Sequence, residues 1–302
     1  MGGNICATQE SKVVSKIALG TVQFGVDYGI ANKLGKVSLS EAKKIISFAK
    51  KYEVNTIDTA NAYGDSETVL GDVGVEDFNI VTKLSFPLNV DKLDNWLKSQ
   101  IEETCDRLRV DALYSVLIHN PSVLLGKDGP AISQALKKIK DDGIVRKIGV
   151  SVYDPEELVL ITPVLNVDIV QTPLNVIDRR IISTGWLKRL KDSGVEIHTR
   201  SAFLQGLLLM NRQDIPEKFE RWSKIWDKWH HFLEEQKVTP LSACLSYPLS
   251  LKEVDRVVVG VDSAAQLSDI VEVTQNAEPK VDTAFMTSTD SKLINPSLWN
   301  TF

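Results

Sequence analysis

The sequence predicts an α/β protein built as a single (β/α)8 barrel. From Lys16 onward, short apolar runs rich in β-branched residues alternate with amphipathic helical stretches, and eight such pairs can be counted. No stretch rich in Pro, Gly or Ser divides the 302 residues. Because α/β barrels run past ~200 residues as one domain, we expect residues 1–302 to form one barrel domain. Residues 1–12 would form a loose N-terminal arm and residues 275–302 a C-terminal tail.

Eight apolar runs are the strand candidates. Each is short, as expected for a strand whose two faces are both covered in a parallel sheet. They are residues 17–20, 56–59, 80–84, 113–118, 147–150, 169–171, 196–199 and 256–260.

The connecting helices show recognisable starts and stops. Ser40 is expected to cap the first long helix, because Ala42, Ile45, Ile46 and Ala49 then recur at helical spacing. The other helical segments are residues 90–108, 131–141, 158–165, 185–191, 216–236, 241–247 and 264–271.

Composition excludes several classes of partner. With 35 basic and 40 acidic residues the net charge is −5, and neither nucleic acid nor an anionic membrane is expected to bind without a basic face. No apolar run reaches the ~20 residues that span a bilayer. The three cysteines are odd in number and widely spaced, which indicates neither a disulfide framework nor a zinc site. Without a signal peptide, we expect a cytoplasmic protein; composition does not decide between a monomer and a homo-oligomer.

Four polar side chains follow three neighbouring strand candidates. Asp58 and Tyr63 stand in Ile-Asp-Thr-Ala-Asn-Ala-Tyr-Gly, Lys83 ends Val-Thr-Lys, and His119 lies in Leu-Ile-His-Asn-Pro. Singly, such residues are often helix caps, solvated cations, turn residues or packing groups. Functional groups of barrels collect at the carboxyl ends of the strands, so their joint occurrence in register with the barrel favours an active site.

In these motifs the sequence resembles the aldo-keto reductases, and the resemblance covers nearly the whole chain. The four residues match the catalytic tetrad of that family in order and spacing. The resemblance implies hydride transfer between a nicotinamide and a carbonyl, with Tyr63 as general acid or base. It also implies that Lys83 tunes the phenol, that Asp58 pairs with Lys83, and that His119 orients the carbonyl oxygen.

The chemistry explains this combination of residue types. Hydride addition to a carbonyl carbon builds negative charge on oxygen, which must be met by a proton and a hydrogen-bond donor. The phenol of tyrosine has a pKa of about 10 in water, and a neighbouring ammonium favours the phenolate.

No Gly-x-Gly-x-x-Gly motif follows a strand, so a Rossmann nucleotide site is not expected. The resemblance instead implies a cofactor lying extended across the barrel mouth, held by loops after the strands. Free N–H groups at the start of the last helix would attract phosphate. The candidate cofactor-binding residues are Gly20, Thr21, Ser151, Gln171, Arg200, Ser201, Phe203, Gln205, Gly206, Gly260, Asp262, Ser263 and Gln266.

Three positions depart from the family pattern. Val152 stands where an asparagine is common, and Arg200 where many members carry an aromatic ring. Residues 260–267 contain no cation and do contain Asp262, which suits a ribose hydroxyl better than the 2′-phosphate of NADP. The resemblance itself favours NADP, which members of that family commonly use. We therefore expect NADP(H) slightly ahead of NAD(H), with NAD(H) as the alternative.

Substrate contacts are expected from Phe24 and Tyr28 in the loop after the first strand. The Asp, Tyr and Asn side chains of residues 23–32 point to a hydroxylated, sugar-like carbonyl compound. The physiological substrate and the direction of reaction do not follow from the sequence.

Two further patterns have structural explanations. Phe219, Trp222, Trp226, Trp229 and Leu233 form one helical stripe, which indicates core packing or a subunit contact. His230 and His231 are adjacent on a helix and cannot chelate one metal as an i, i+4 pair could, so no metal is expected.

Two other functions fit part of the pattern. A cofactor-sensing regulatory barrel would bind nicotinamide with little turnover, although a pure binder has no chemical need of Tyr63. An aldolase or isomerase barrel would use Lys83 as a Schiff-base lysine.

Overall fold

Eight parallel strands close into one barrel in a computed structural model that describes residues 14–87, 92–276 and 283–301. Neighbours in the chain are neighbours in the barrel, and β8 closes it by pairing with β1, Gly20 lying beside Gly260. The strands are β1 (Ile17–Gly20), β2 (Thr56–Asp58), β3 (Asn79–Leu84), β4 (Leu113–Ile118), β5 (Val145–Ser151), β6 (Ile169–Pro173), β7 (Glu196–Arg200) and β8 (Arg256–Gly260). The predicted (β/α)8 barrel is confirmed, with strand ends displaced by two residues at most.

Helices surround the barrel between successive strands. They are α1 (Val22–Gly25), α2 (Leu39–Lys51), α3 (Ser66–Val73), α4 (Leu93–Leu108), α5 (Gly129–Asp141), α6 (Leu158–Ile161), α7 (Arg180–Ser183), α8 (Trp186–Asp192), α9 (Ser223–Gln236), α10 (Pro240–Leu249), α11 (Ala264–Gln275) and α12 (Ser291–Ile294). Short 3₁₀ turns lie at Pro121–Leu125, Pro155–Glu157, Leu207–Leu209, Arg212–Asp214, Glu217–Trp222, Ala284–Met286 and Pro296–Leu298. None of these helices is long and apolar enough to cross a membrane within the described part of the chain.

The expected cap of the first long helix was wrong by two residues. Ser38, whose backbone is extended, accepts a hydrogen bond from the Glu41 N–H, while Ser40 lies inside the first turn of α2. Both serines precede the same apolar repeat, and the backbone conformation selects between them.

Other helix boundaries also differ from expectation, most by one to four residues. The segment at 158–165 is helical only over α6, after a 3₁₀ turn whose cap is Asp154. The segment at 216–236 divides into a 3₁₀ turn and α9. The start expected at residue 90 lies outside the described residues, and α4 begins at Leu93.

A second hydrophobic cluster lies beside the main core and contains the aromatic stripe. Trp226 and Trp229 are fully buried, and Trp229 donates from Nε1 to the carbonyl of Leu208, which follows β7. Met286 and Trp299 from the expected C-terminal tail pack in the same cluster. The stripe is therefore core, and it supports the segment after β7 from outside the barrel.

Glu196, the first residue of β7, contacts polar side chains of β4, β5 and its own strand. Its carboxylate accepts from Tyr114 Oη at 2.7 Å, lies 2.7 Å from His198 Nε2, and pairs with Lys147. Burial raises the pKa of this carboxyl, but the bonds to His198 and Lys147 outweigh burial and lower the pKa below its usual value. The ionised carboxylate thus stabilises the fold above its unfolded-state pKa.

We expect Glu196→Gln to lower the free energy of unfolding by about 2 kcal/mol at pH 7. The difference from the wild type should shrink as the pH falls below about 4.5, because there the unfolded glutamate gains a proton that the folded one resists. Urea denaturation at pH 7 and pH 4 measures both values. A difference that stays constant with pH would show that the charge of Glu196 is not what stabilises this cluster.

Candidate active site

A cavity of about 440 Å³ opens at the carboxyl ends of the strands. Asp58, Tyr63, Lys83 and His119 all border it, so the structure brings the four expected residues to one place. β2 ends at Asp58, Lys83 is the fifth residue of β3, and His119 directly follows β4. Three adjacent strands therefore place three of the four side chains.

The buried ion pair of Asp58 and Lys83 lies at the base of this site. Lys83 Nζ is 2.5 Å from Asp58 Oδ1 and donates to the Thr59 carbonyl at 3.1 Å. The side chain of Lys83 is 1% exposed and that of Asp58 is 5% exposed. Gln171 in β6 donates from Nε2 to Asp58 Oδ2 at 2.7 Å. Both oxygens of the carboxylate are thus occupied, which compensates for the loss of water around it.

The ammonium of Lys83 faces the ring of Tyr63. Its Nζ lies 5.1 Å from the ring centre. Burial lowers the pKa of Lys83, but Asp58 and Tyr63 outweigh burial and raise the pKa above its usual value. Lys83 is therefore a positive charge beside the phenol and is not a free amine.

Close backbone contact fixes the loop that carries Tyr63. A Cβ on Gly25, at the end of α1, would lie 1.6 Å from the carbonyl oxygen of Tyr63. Gly64 has a φ of +57° and packs against the Gly25 carbonyl from the other side. These glycines permit the close approach of α1 and the Tyr63 loop.

His119 completes the catalytic end of the cavity. Its ring meets the Tyr63 ring edge to face, with centres 5.8 Å apart. Burial and then the Lys83 ammonium lower the pKa of His119 to about 4. The imidazole is therefore neutral at neutral pH, with one N–H to donate and one nitrogen that can accept.

Most of the expected cofactor residues border the same cavity. They are Gly20, Thr21, Ser151, Gln171, Arg200, Ser201, Phe203, Gln205, Gly206, Gly260, Asp262 and Gln266. Ser263 does not border the cavity. Its hydroxyl instead caps α11 by accepting a hydrogen bond from the Gln266 N–H.

Of the two expected substrate residues, only Tyr28 borders the cavity. Phe24 is fully buried in the main core, and the expectation that it lines the substrate site was wrong. Successive residues of a helical turn point about 100° apart, and in α1 this turns Gln23 to the cavity and Phe24 to the core.

The loop after β7 has a left-handed backbone and leaves only part of its amides free. Ser201, Leu204, Gln205 and Gly206 all have positive φ values. The N–H groups of Leu204 and Gly206 bond to loop carbonyls, whereas no such bond is made by the N–H groups of Phe203 and Gln205 among the described residues. The Asn175 side chain donates to the Ser201 carbonyl at 3.0 Å and holds the start of the loop. Free N–H groups in a tight turn of this kind bind anions.

The start of α11 does not offer the free N–H groups that we expected there. The Asp262 N–H donates to Gln266 Oε1 at 2.7 Å, and the Ala264 N–H donates to Glu41 Oε1 at 2.9 Å. The Gln266 N–H is taken by the cap Ser263. Side chains of this protein already hold three of the amides.

Arg200 lies flat against Tyr153. The guanidinium carbon is 4.3 Å from the ring centre, and the side chain donates to the Val152 carbonyl at 3.1 Å and to the Ser201 hydroxyl at 3.3 Å. The guanidinium thus forms one wall of the cavity.

Sequence reasoning did not single out several residues that border the cavity, among them Gln23, Tyr153 and Asp269. Gln23 and Tyr153 stand three and two residues after β1 and β5, where loop side chains of a barrel reach its mouth. These two could have been found by extending the search one helical turn beyond the strand ends. Asp269 follows Gln266 by three residues in α11, so the two share a helix face and the helical period could have pointed to it.

Among the described residues, no group of three or more His, Cys, Asp or Glu is arranged to hold a metal ion. The polar groups of the cavity, an ion pair, a phenol, an imidazole and an amide-lined loop, suit organic chemistry with a bound dinucleotide.

Comparison with known proteins agrees with this arrangement. The model of the Aldo/keto reductase family matches residues 16–293. L-galactose dehydrogenase of Arabidopsis thaliana is 26% identical over 278 residues, 84% of each chain, and glyoxal reductase of Bacillus subtilis is 27% identical over 241 residues, 72% of this chain and 83% of the relative. A holo-form aldo-keto reductase of Bacillus halodurans has the same fold, with a TM-score of 0.70 at 18% identity, covering 90% of this chain and 89% of that one.

The fold and the match over most of the chain define a barrel oxidoreductase. The chain belongs to the aldo/keto reductase family, whose members use nicotinamide cofactors.

We expect Asp58→Asn to cost about 3 kcal/mol of stability, because it leaves the buried Lys83 ammonium without its counter-charge. The double variant Asp58→Asn, Lys83→Met should recover most of that loss, since it removes the second charge as well. Urea denaturation of both proteins measures the recovery. A double variant no more stable than Asp58→Asn would show that the charge imbalance is not the cause.

We expect the His119 ring to titrate near pH 4 in the folded protein. Because its pKa is lowered by folding, His119 opposes folding increasingly as the pH falls from about 6.5 to about 4. Imidazole resonances followed by NMR from about pH 8 down to about pH 3 give the midpoint, and His119→Gln identifies the signal. A midpoint above pH 6 would contradict the neutral imidazole.

Proposed function

We propose that this protein is a nicotinamide-dependent oxidoreductase that interconverts an aldehyde, ketone or sugar carbonyl and its alcohol, with Tyr63 as general acid and base. The observation that carries the proposal is the convergence of the Tyr63 phenol, the Lys83 ammonium and the neutral His119 imidazole at one end of a single cavity. That set supplies a proton, a charge that stabilises its loss, and a donor for the carbonyl oxygen.

A nicotinamide bound in the cavity supplies the hydride for reduction or accepts it in the reverse direction. In reduction, the carbonyl oxygen accepts a hydrogen bond from the His119 N–H and takes the proton of Tyr63 Oη as the carbonyl carbon gains the hydride. The phenolate left behind is stabilised by the Lys83 ammonium, which Asp58 holds in place. In oxidation, the same phenolate removes the proton of the alcohol.

The raised pKa of Lys83 argues against the Schiff-base alternative. Imine formation needs a neutral amine, whereas Lys83 is 1% exposed and held as an ammonium by Asp58. The tetrad therefore supports hydride chemistry better than aldol chemistry.

The substrate class we propose is a small, hydroxylated carbonyl compound. Tyr28, whose hydroxyl accepts a hydrogen bond from Gln205 at 3.3 Å, and Gln205 itself place polar groups on the cavity wall. Among the relatives, the name L-galactose dehydrogenase points to a hydroxylated sugar and the name glyoxal reductase to a small aldehyde.

We also propose that the protein works in the cytoplasm. Cys105 and Cys244 are free thiols, which is typical of a reducing compartment.

We expect Tyr63→Phe to lower the turnover of hydroxylated aldehydes and ketones about a hundredfold or more. Binding of the dinucleotide should persist, because the change removes only the proton donor. Steady-state oxidation of the reduced cofactor and calorimetric titration measure the two effects. Tyr247→Phe, in α10 and outside the cavity, is the matched control and should leave both unchanged. Near-normal turnover in Tyr63→Phe would disprove the acid role, and a wild type that binds cofactor without turnover would favour the regulatory barrel.

A further inference from the structure

We propose that the cavity selects NAD(H) over NADP(H), with Glu41 and Asp262 as the residues that exclude the 2′-phosphate. The proposal rests on the proposed function, since it assumes that a nicotinamide dinucleotide is the cofactor. It reverses the slight preference for NADP(H) that the family resemblance implied.

The position of the tetrad decides which part of the cavity receives the adenosine half. Hydride transfer to a carbonyl held at Tyr63 needs the nicotinamide beside that residue, at the tetrad end of the cavity. The anion loop after β7 suits the pyrophosphate. The adenosine half is left with the wall formed by the end of β8 and the start of α11, which includes Asp262, Gln266 and Asp269.

The first turn of α11 is already occupied by a carboxylate of this chain. A helix N-terminus is ordinarily a ready site for a phosphate, because its first N–H groups have no partner within the helix. Here Glu41 of α2 reaches across and accepts from the Ala264 N–H at 2.9 Å. Glu41 thus fills the position of a bound anion.

The Glu41 carboxylate is ionised at neutral pH. The Ala264 N–H and then Lys44 lower the pKa of this carboxyl below its usual value. Lys44 lies 3.0 Å from the other oxygen of Glu41, so this neighbouring cation is engaged by Glu41 itself.

Asp262 and Asp269 add negative charge to the same wall. Asp262 Oδ1 is buried without a hydrogen-bond partner among the described residues. Around the described cavity the cations are Lys83 and Arg200. Lys83 is paired with Asp58, and the Arg200 guanidinium turns toward Val152 and Tyr153 after β5. A ribose hydroxyl can donate to a carboxylate, whereas a 2′-phosphate brings about two negative charges and only acceptors.

An unpartnered amide supports the same assignment. Gln23 is 8% exposed, its Oε1 is buried without a hydrogen-bond partner among the described residues, and its side chain borders the cavity beside Gly260. A Cβ on Gly260 would lie 2.5 Å from the Gln23 amide nitrogen. The β8 wall therefore presents acceptors that need donors, which hydroxyls supply and a phosphate does not.

Calorimetric titration of the full chain with NADH and NADPH, without substrate, tests the proposal. We expect NADH to bind about tenfold or more tightly than NADPH, because like charges at this wall repel the 2′-phosphate. Glu41→Gln keeps an oxygen for the Ala264 N–H and removes one negative charge. Asp262→Asn removes one negative charge from the cavity wall and keeps the size of the side chain. Each variant should lower the ratio of the dissociation constant of NADPH to that of NADH about threefold, and the double variant should lower it further.

Glu272→Gln is the matched control, because it removes a negative charge from an exposed position of α11 outside the cavity. It should leave the ratio unchanged, and thermal unfolding of each variant confirms that it is folded. The proposed selectivity would be overturned if the wild type bound NADPH as tightly as NADH. It would also be overturned if neither Glu41→Gln nor Asp262→Asn altered the ratio. Both outcomes would leave the proposed function intact. Failure to bind either dinucleotide would overturn the proposed function as well.

Discussion

The buried ion pair of Asp58 and Lys83 is the interaction on which the site depends. Two charges almost without solvent are stable only when each is fully paired, and the pairing draws on β2, β3 and β6 at once through Asp58, Lys83 and Gln171. The barrel register holds these strands at the required separation. The ammonium then acts on its neighbours: it faces the Tyr63 ring, and after burial it is the second cause of the lowered pKa of His119.

The parts of the fold that sequence reasoning predicted are those governed by local periodicity. Strand ends mark where polar groups meet in a parallel barrel, which is why Asp58, Lys83 and His119 could be placed together before any coordinates. Phe24 was misplaced because a short helical turn follows β1 and rotates successive side chains away from strand alternation. The hydrogen bond between Glu41 and Ala264 joins residues 223 positions apart in the chain. Local sequence patterns cannot predict a contact between such distant residues.

The cavity is electrically asymmetric. Lys83 and Arg200 stand on β3 and β7, while the carboxylates of Asp262 and Asp269 stand on the β8 side. Backbone amides of the loop after β7 lie between these walls, and the tryptophan cluster supports that loop through the Trp229 bond to Leu208. Lys83 and Arg200 thus bring positive charge to the cavity of a chain whose net charge is −5.

The bond between Glu41 and Ala264 also bears on how the molecule folds. It joins α2 and α11, the helices beside the seam where β1 meets β8, and this seam brings together the segments of the barrel most distant in the chain. Closing a loop of that length costs more chain entropy than closing any shorter loop of the barrel. The cavity wall that carries Asp262 and Gln266 is therefore complete only when the two ends of the barrel have joined at β1 and β8.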